Sequence, residues 1–73
     1  MKYYERIRTM REELGLTQED IAARIGTCQR TYSDYERGAT RIPVERLILL
    51  ARFYDVSMDY ICAVTDIRRG FPK

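Results

Sequence analysis

The chain has 73 residues, a net charge of +2 and 45% hydrophobic residues, which is typical of one compact domain and excludes wholesale disorder. Its longest apolar run, 47–51, is far shorter than the roughly 20 residues of a membrane-spanning helix, and the first residues, MKYYERIR, lack the apolar stretch of a signal peptide. We therefore expect a cytoplasmic protein in which Cys28 and Cys62, which are far apart and lack CxxC spacing, are free thiols.

The hydrophobic periodicity is helical along nearly the whole chain, and no segment alternates with the period of two that marks a strand. The first predicted helix carries an apolar stripe at i, i+4, i+7 and i+11, made by Tyr3, Ile7, Met10 and Leu14. Gly15 is expected to end this helix in the left-handed conformation that is common after a helix C-terminus.

A second helix is predicted to begin after Thr17, whose hydroxyl is a good N-cap and which Asp20 complements as a short capping box. Its buried face is expected to consist of Ile21, Ala22 and Ile25, and Gly26 ends it. A third helix is predicted to follow almost at once, from about Cys28 to Arg37.

The fourth helix is predicted to run from Pro43, which the start of a helix tolerates, to about Asp55. One of its faces is expected to be filled by Val44, Leu47, Leu50, Ala51 and Tyr54. Ser57 is expected to cap a short fifth helix within SMDYICAV. The domain is thus predicted to occupy residues 1–66.

Residues 67–73 are predicted to form a short, frayed C-terminal tail, because this end of the chain carries Gly and Pro. Its basic residues, Arg68, Arg69 and Lys73, are either a solvated tail or an arm that contacts phosphate.

The third helix has two different faces on a helical wheel. Tyr32 and Tyr35 point together, as residues i and i+3 do, and are expected to lie in the core. The opposite face is polar and carries Gln29, Arg30, Ser33, Asp34 and Arg37. A short link followed by such a helix is typical of a helix-turn-helix, whose second helix enters the major groove of DNA. The alternative is a polar face that is merely solvated.

Three stretches resemble the phage-repressor type of helix-turn-helix domain, the Cro/CI or XRE family. They are RIRTMREELGLTQEDIAARIG, TYSDYERG and RIPVERLILLARFYDVSMDYI, and the resemblance covers about residues 4–64. It implies an all-α, compact five-helix bundle, a lambda-repressor-like domain that binds double-stranded DNA. Members of this family commonly bind a near-palindromic operator as a homodimer.

The resemblance also implies roles for individual residues. Base contacts are expected from Gln29 and Arg30, with Ser33 and Asp34 on the same face; Asp34 either accepts a hydrogen bond from cytosine or repels nearby phosphates. Contacts to the DNA backbone are expected from Gln18, Thr27, Arg37 and Arg41. The family usually has Ser or Thr at the position of Cys28 and aliphatic residues at those of Tyr32 and Tyr35.

The fourth helix is apolar on a second side as well, where Leu49 and Phe53 lie at i and i+4. Together with Tyr60 they are candidates for a homodimer interface. The alternative is that the first and fifth helices bury them.

The function expected from these features is that of a sequence-specific transcriptional regulator, in this family most often a repressor that covers a promoter. The rival interpretation is an antitoxin-like or other interaction module whose fourth and fifth helices bind a partner protein. An enzyme is not expected, because the chain has no His and lacks a Gly-rich phosphate loop and a cluster of metal ligands. No cofactor is expected either.

Overall fold

The computed structural model describes residues 1–72, and Lys73, which we assigned to the tail, lies outside the described residues. Residues 1–72 contain five helices and no strand: α1 (Tyr3–Glu13), α2 (Gln18–Arg24), α3 (Gln29–Glu36), α4 (Val44–Tyr54) and α5 (Met58–Ile61). The predicted all-α, five-helix architecture is therefore confirmed. Within this range, no helix has both the length and the apolar character needed to cross a membrane. Both cysteines are free, as expected.

Local signals begin and end the helices much as the sequence predicted. The Thr17 hydroxyl accepts a hydrogen bond from the Asp20 N–H at 3.1 Å, and the Asp20 carboxylate accepts one from the Thr17 N–H at 3.0 Å. These two bonds form the predicted capping box at the start of α2. The Ser57 hydroxyl accepts a hydrogen bond from the Tyr60 N–H at 3.1 Å, which confirms it as the cap of α5.

The core lies where the apolar faces of all five helices meet. Its buried members are Ile7, Met10, Ile21, Ala22, Ile25, Tyr32, Tyr35, Leu47, Leu50, Ala51, Tyr54, Val56 and Ile61. Three residues that we predicted to belong to these faces lie outside this cluster, and one of them, Tyr3, is only half-buried. Leu14 is 59% exposed because it is the C-cap residue that follows the last turn of α1. Val44 is 57% exposed because it is the first residue of α4, ahead of the part of that helix that packs.

One arginine lies inside this small fold. Arg6 is buried, and its guanidinium donates hydrogen bonds to the Tyr60 carbonyl at 2.8 Å and to the Asp66 carboxylate at 2.8 Å. It also donates to the Thr65 carbonyl at 3.3 Å and lies 4.0 Å from the centre of the Tyr60 ring. A buried charge is tolerated when several acceptors satisfy it. Arg6 therefore joins α1 to the chain that follows α5.

Replacing Arg6 by Met should lower the free energy of unfolding by roughly 2–3 kcal/mol, the value of hydrogen bonds to a charged group inside a protein. The loss arises because the Tyr60 and Thr65 carbonyls would each lose a charged donor, although the Tyr60 carbonyl keeps its bond from the Ala63 N–H. Asp66→Asn is the matched control: the Asp66 side chain is 96% exposed, so its charge should contribute less than about 1 kcal/mol. Urea unfolding of both variants measures the difference, and equal losses would contradict this role of Arg6.

Residues 67–72 of the tail are folded back rather than frayed, so for them that prediction is wrong. The Ser57 N–H donates to the Arg69 carbonyl at 2.8 Å, and the Phe71 N–H donates to the Asp55 carboxylate at 3.2 Å. The Phe71 ring packs against the core, with the Arg52 guanidinium 5.2 Å from the ring centre. Gly and Pro suggested disorder, but partial burial of the Phe71 ring and the two hydrogen bonds help to offset the entropy cost of ordering this segment.

Candidate nucleic-acid interface

The link between α2 and α3 consists of residues 25–28. Gly26 adopts φ +74°, a left-handed conformation that has little steric cost for glycine. This conformation lets the Thr27 N–H donate to the Ala22 carbonyl at 2.9 Å, the hydrogen bond of a Schellman motif. The chain therefore turns within residues 25–28, and only these four residues separate the end of α2 from the start of α3.

Cys28 occupies the N-cap position of α3, but within residues 1–72 its thiol accepts no backbone hydrogen bond as a cap. Its Sγ instead lies 3.2 Å from the Thr31 hydroxyl. This contact lowers the pKa of the exposed thiol. The start of α3 thus depends on the turn before it rather than on a strong side-chain cap.

The inner side of α3 is formed by two aromatic rings. Tyr32 and Tyr35 are both buried, and their rings meet edge to face with centroids 6.3 Å apart. The predicted core role of this pair is confirmed. The Tyr35 hydroxyl accepts a hydrogen bond from Arg46 at 2.8 Å. Burial raises the pKa of the Tyr32 hydroxyl, which has no hydrogen-bond partner of normal geometry within residues 1–72.

The outer side of α3 carries the residues predicted to read bases. Gln29 and Arg30 are exposed in its first turn, and Ser33 and Asp34 are half-exposed one turn later. Asp34 forms an ion pair with the exposed Arg37, the C-cap residue of α3, which favours a role for Asp34 in shaping the charge of this face. The structure thus brings these five side chains to one surface; their contact with DNA stays a prediction.

The predicted backbone contacts border that surface. Gln18 is the first residue of α2, and its side-chain carbonyl accepts a hydrogen bond from the Gln29 amide at 2.8 Å. The first turn of a helix presents free N–H groups that suit a phosphate. Thr27 is half-buried in the turn, and Arg41 is exposed in the segment between α3 and α4.

A buried ion pair beneath this surface was missed by the sequence analysis. The Glu36 carboxylate accepts hydrogen bonds from Arg11 Nε at 2.7 Å and Nη2 at 3.0 Å, and one from the Gln18 amide at 3.1 Å. Gln18 in turn holds Gln29. A chain of hydrogen bonds therefore runs from α1 through the end of α3 to its first residue. The spacing held a signal for it, since Glu36 follows Tyr32 by four residues and so lies on the buried face.

Acid should destabilise the protein through Glu36. Burial opposes ionisation of this carboxyl, but the hydrogen bonds from Arg11 and Gln18 outweigh burial, so its pKa is lowered in the folded state. A group with a lowered pKa stabilises the fold fully above its unfolded pKa, which is about 4.3. We expect this stabilisation to be lost as the pH falls through the pKa of Glu36 in the folded state, which is lower than its unfolded pKa. Urea midpoints below pH 5 should thus fall steeply for the native chain and less for Glu36→Gln; parallel curves would contradict the assignment.

The three dimer candidates differ in their surroundings. Leu49 is 44% exposed. Phe53 is half-buried beneath the Arg24 guanidinium, 4.9 Å from its ring centre. Tyr60 is half-buried against Arg6 of α1. The alternative that the first and fifth helices bury these residues therefore fits Tyr60, which lies against α1. It does not fit Phe53, which is covered from α2, or the exposed Leu49.

In this structure a tight turn joins two short helices, α2 and α3. Aromatic rings hold the second helix from the inside, and its polar side faces outward. This arrangement defines the helix-turn-helix class of domains. A family model described as Helix-turn-helix matches residues 7–61. The chain belongs to this family.

Several similar proteins are named as transcriptional regulators or repressors. The chain is 42% identical over 64 residues to YobD of Bacillus subtilis, an "uncharacterized HTH-type transcriptional regulator", covering 88% of this chain and 57% of YobD. It is 39% identical over 54 residues to RstR of Vibrio cholerae, a cryptic phage CTXphi transcriptional repressor, covering 74% of this chain and 49% of RstR. The chain thus spans about half the length of these relatives.

A solved structure shares the fold. The P22 c2 repressor, crystallised in complex with a synthetic operator, superimposes with a TM-score of 0.76 at 30% identity. The match covers 84% of this chain and 92% of that one. The solution structure of the DNA-binding domain of the same repressor gives the same TM-score and covers 80% of that chain.

Proposed function

We propose that this protein is a sequence-specific DNA-binding transcriptional regulator that represses by covering a promoter. One observation carries the proposal: α3 is fixed from the inside by two buried tyrosines and turns Gln29 and Arg30 outward. The relatives named as transcriptional regulators and the P22 c2 repressor solved with an operator support it.

In the proposed complex α3 lies in the major groove, which is wide enough for one helix. Gln29 would form two hydrogen bonds with adenine, and Arg30 two with the O6 and N7 acceptors of guanine. Ser33 and Asp34 would face the following bases. No covalent chemistry is required, because occupation of the promoter is itself the regulatory event.

The DNA backbone would be held from both sides of α3. Gln18 and Thr27 lie at the start of α2 and in the turn, and Arg37 and Arg41 lie after the other end of α3. Such contacts position the protein without reading sequence. They also make affinity fall with salt, because each neutralised phosphate releases counterions.

The small charge surplus favours action as a homodimer. With a net charge of +2, one domain gains little non-specific attraction, whereas a second linked domain binds its half-site at high effective concentration. The half-sites would then be centred roughly 34 Å apart. Leu49, Phe53 and Tyr60 are the proposed dimer residues, with the exposed Leu49 at the centre.

Sedimentation velocity between low and high micromolar concentration tests the dimer. We expect a concentration-dependent dimer that Leu49→Glu weakens at least tenfold, because an unpaired charge would be buried in the interface. Glu12→Gln, on α1 and also exposed, is the control. A native chain that stays monomeric at high micromolar concentration would contradict the dimer but leave DNA binding by one domain intact.

The function itself is tested by selection of binding sites from a random DNA pool at about 150 mM salt, near physiological ionic strength. We expect an enriched motif with two related halves about one helical turn apart. Binding without any enriched sequence would refute the proposed sequence-specific regulator. An enriched single half-site would refute only the palindromic operator.

A further inference from the structure

Arg46 makes two hydrogen bonds that the proposed DNA contacts do not explain. It lies in the first turn of α4 and is half-buried. Its Nη1 donates to the Tyr35 hydroxyl at 2.8 Å, and its Nη2 donates to the Gly26 carbonyl at 3.2 Å. One guanidinium on α4 therefore holds both the turn that precedes α3 and a side chain in the last turn of α3.

The chemistry of this contact restricts how α3 can move. A guanidinium is planar, and its donors have a fixed spacing, so the Tyr35 hydroxyl and the Gly26 carbonyl must keep a constant separation and direction. Both acceptors are neutral, so the contact fixes position rather than neutralising the charge of Arg46. An apolar residue at position 35 could not accept the bond, so the contact depends on the tyrosine.

We propose that Arg46 is a positioning residue that sets the tilt of α3 relative to α4, and thereby the base preference of Gln29 and Arg30. This inference rests on the proposed DNA-binding function. A binding site tolerates displacements of only about 0.5 Å before its contacts weaken. A small rotation of α3 about its tyrosine rings would move Gln29 and Arg30 by more than that while the core stays packed. Arg46 prevents this rotation without contacting a base.

The contact differs from the chain of hydrogen bonds through Glu36. That chain approaches α3 from α1 and α2 and ends on Gln29. Arg46 approaches from α4. It contacts Gly26 in the turn that precedes α3 and Tyr35 on the buried side of α3. The two restraints therefore act on α3 from different helices, and variants of Arg46 and Tyr35 probe one of them alone.

The decisive variant is Tyr35→Phe, which keeps the buried ring and every charge but removes the acceptor. Arg46→Met removes the donors, and the double variant completes a cycle. Arg52→Met is the control, because Arg52 is also on α4 but lies over Phe71 instead of α3. All are measured in the full chain against the site selected from random DNA and against its single-base variants, at several salt concentrations, with thermal unfolding as the check on folding.

We expect Tyr35→Phe to fold and to lower discrimination between the preferred site and single-base variants about fivefold, the equivalent of one hydrogen bond. Its salt dependence should equal that of the native chain. Arg46→Met should lose discrimination to the same degree, the double variant no further, and Arg52→Met should lose none.

Two results would overturn the positioning role. Unchanged discrimination in Tyr35→Phe and Arg46→Met would make the contact purely structural. Equal weakening of Arg46→Met on all sequences, with a salt slope lower by about one, would mean that Arg46 contacts phosphate. If the native chain itself shows no preferred site, the proposed function fails together with this inference; a selective native chain with equally selective variants refutes the inference alone.

Discussion

Replacing Glu36 by Ala should lower the free energy of unfolding by about 3–5 kcal/mol, the usual cost of removing one partner of a buried ion pair. Only 2% of the Glu36 side chain and 12% of the Arg11 side chain are exposed. The variant would leave the Arg11 guanidinium without its counter-charge and the Gln18 amide without its acceptor. A domain of this size is stable by only about 4–11 kcal/mol, so the variant should be close to unfolding.

Urea unfolding followed by far-ultraviolet circular dichroism measures this loss. Glu12→Gln is the matched control, because Glu12 pairs with Arg8 on the surface of α1 at 3.5 Å and such pairs contribute about 0.3–0.5 kcal/mol. Replacing both buried partners, Arg11→Met with Glu36→Leu, should recover much of the stability, since no charge is then left buried. A Glu36→Ala variant as stable as Glu12→Gln would show that the pair contributes little.

Replacing Arg30 by Ala should cost about 1–3 kcal/mol of binding free energy on the preferred DNA site and relax the preference at one base position. Arg30 is exposed in the first turn of α3, and within residues 1–72 no carboxylate forms an ion pair with it. Its guanidinium is therefore available to contact guanine. The loss should be largest for sites that carry the preferred base and small for sites that lack it.

Equilibrium binding to the preferred site and to its three single-base variants at one position measures the effect. Arg41→Ala provides the comparison, because a backbone contact should weaken binding almost uniformly and lower the salt slope by about one. If Arg30→Ala instead weakened all sites equally, Arg30 would be a phosphate contact. An unchanged salt slope in Arg41→Ala would remove Arg41 from the DNA backbone contacts.

The helices and most of the core could be predicted because their signals are local. A capping box such as that of Thr17 and Asp20 depends on residues three apart, and the burial of Tyr32 and Tyr35 follows from a helical period. Leu14 and Val44 were wrongly predicted to be buried. Hydrophobic periodicity indicates which face of a helix packs, but not where along the helix the packing ends. The order of the tail was predicted wrongly because amino-acid composition does not reveal that Phe71 packs against the core.

The sequence by itself determined the five helices, the tight turn and the polar face of α3, since each is set by neighbours within a few positions. Only the tertiary structure decided which charged residues support that face. Glu36 meets Arg11 across 25 positions and Tyr35 meets Arg46 across 11. A charged side chain is normally exposed, and it becomes a buried restraint only when other helices bring enough hydrogen-bond partners to satisfy it.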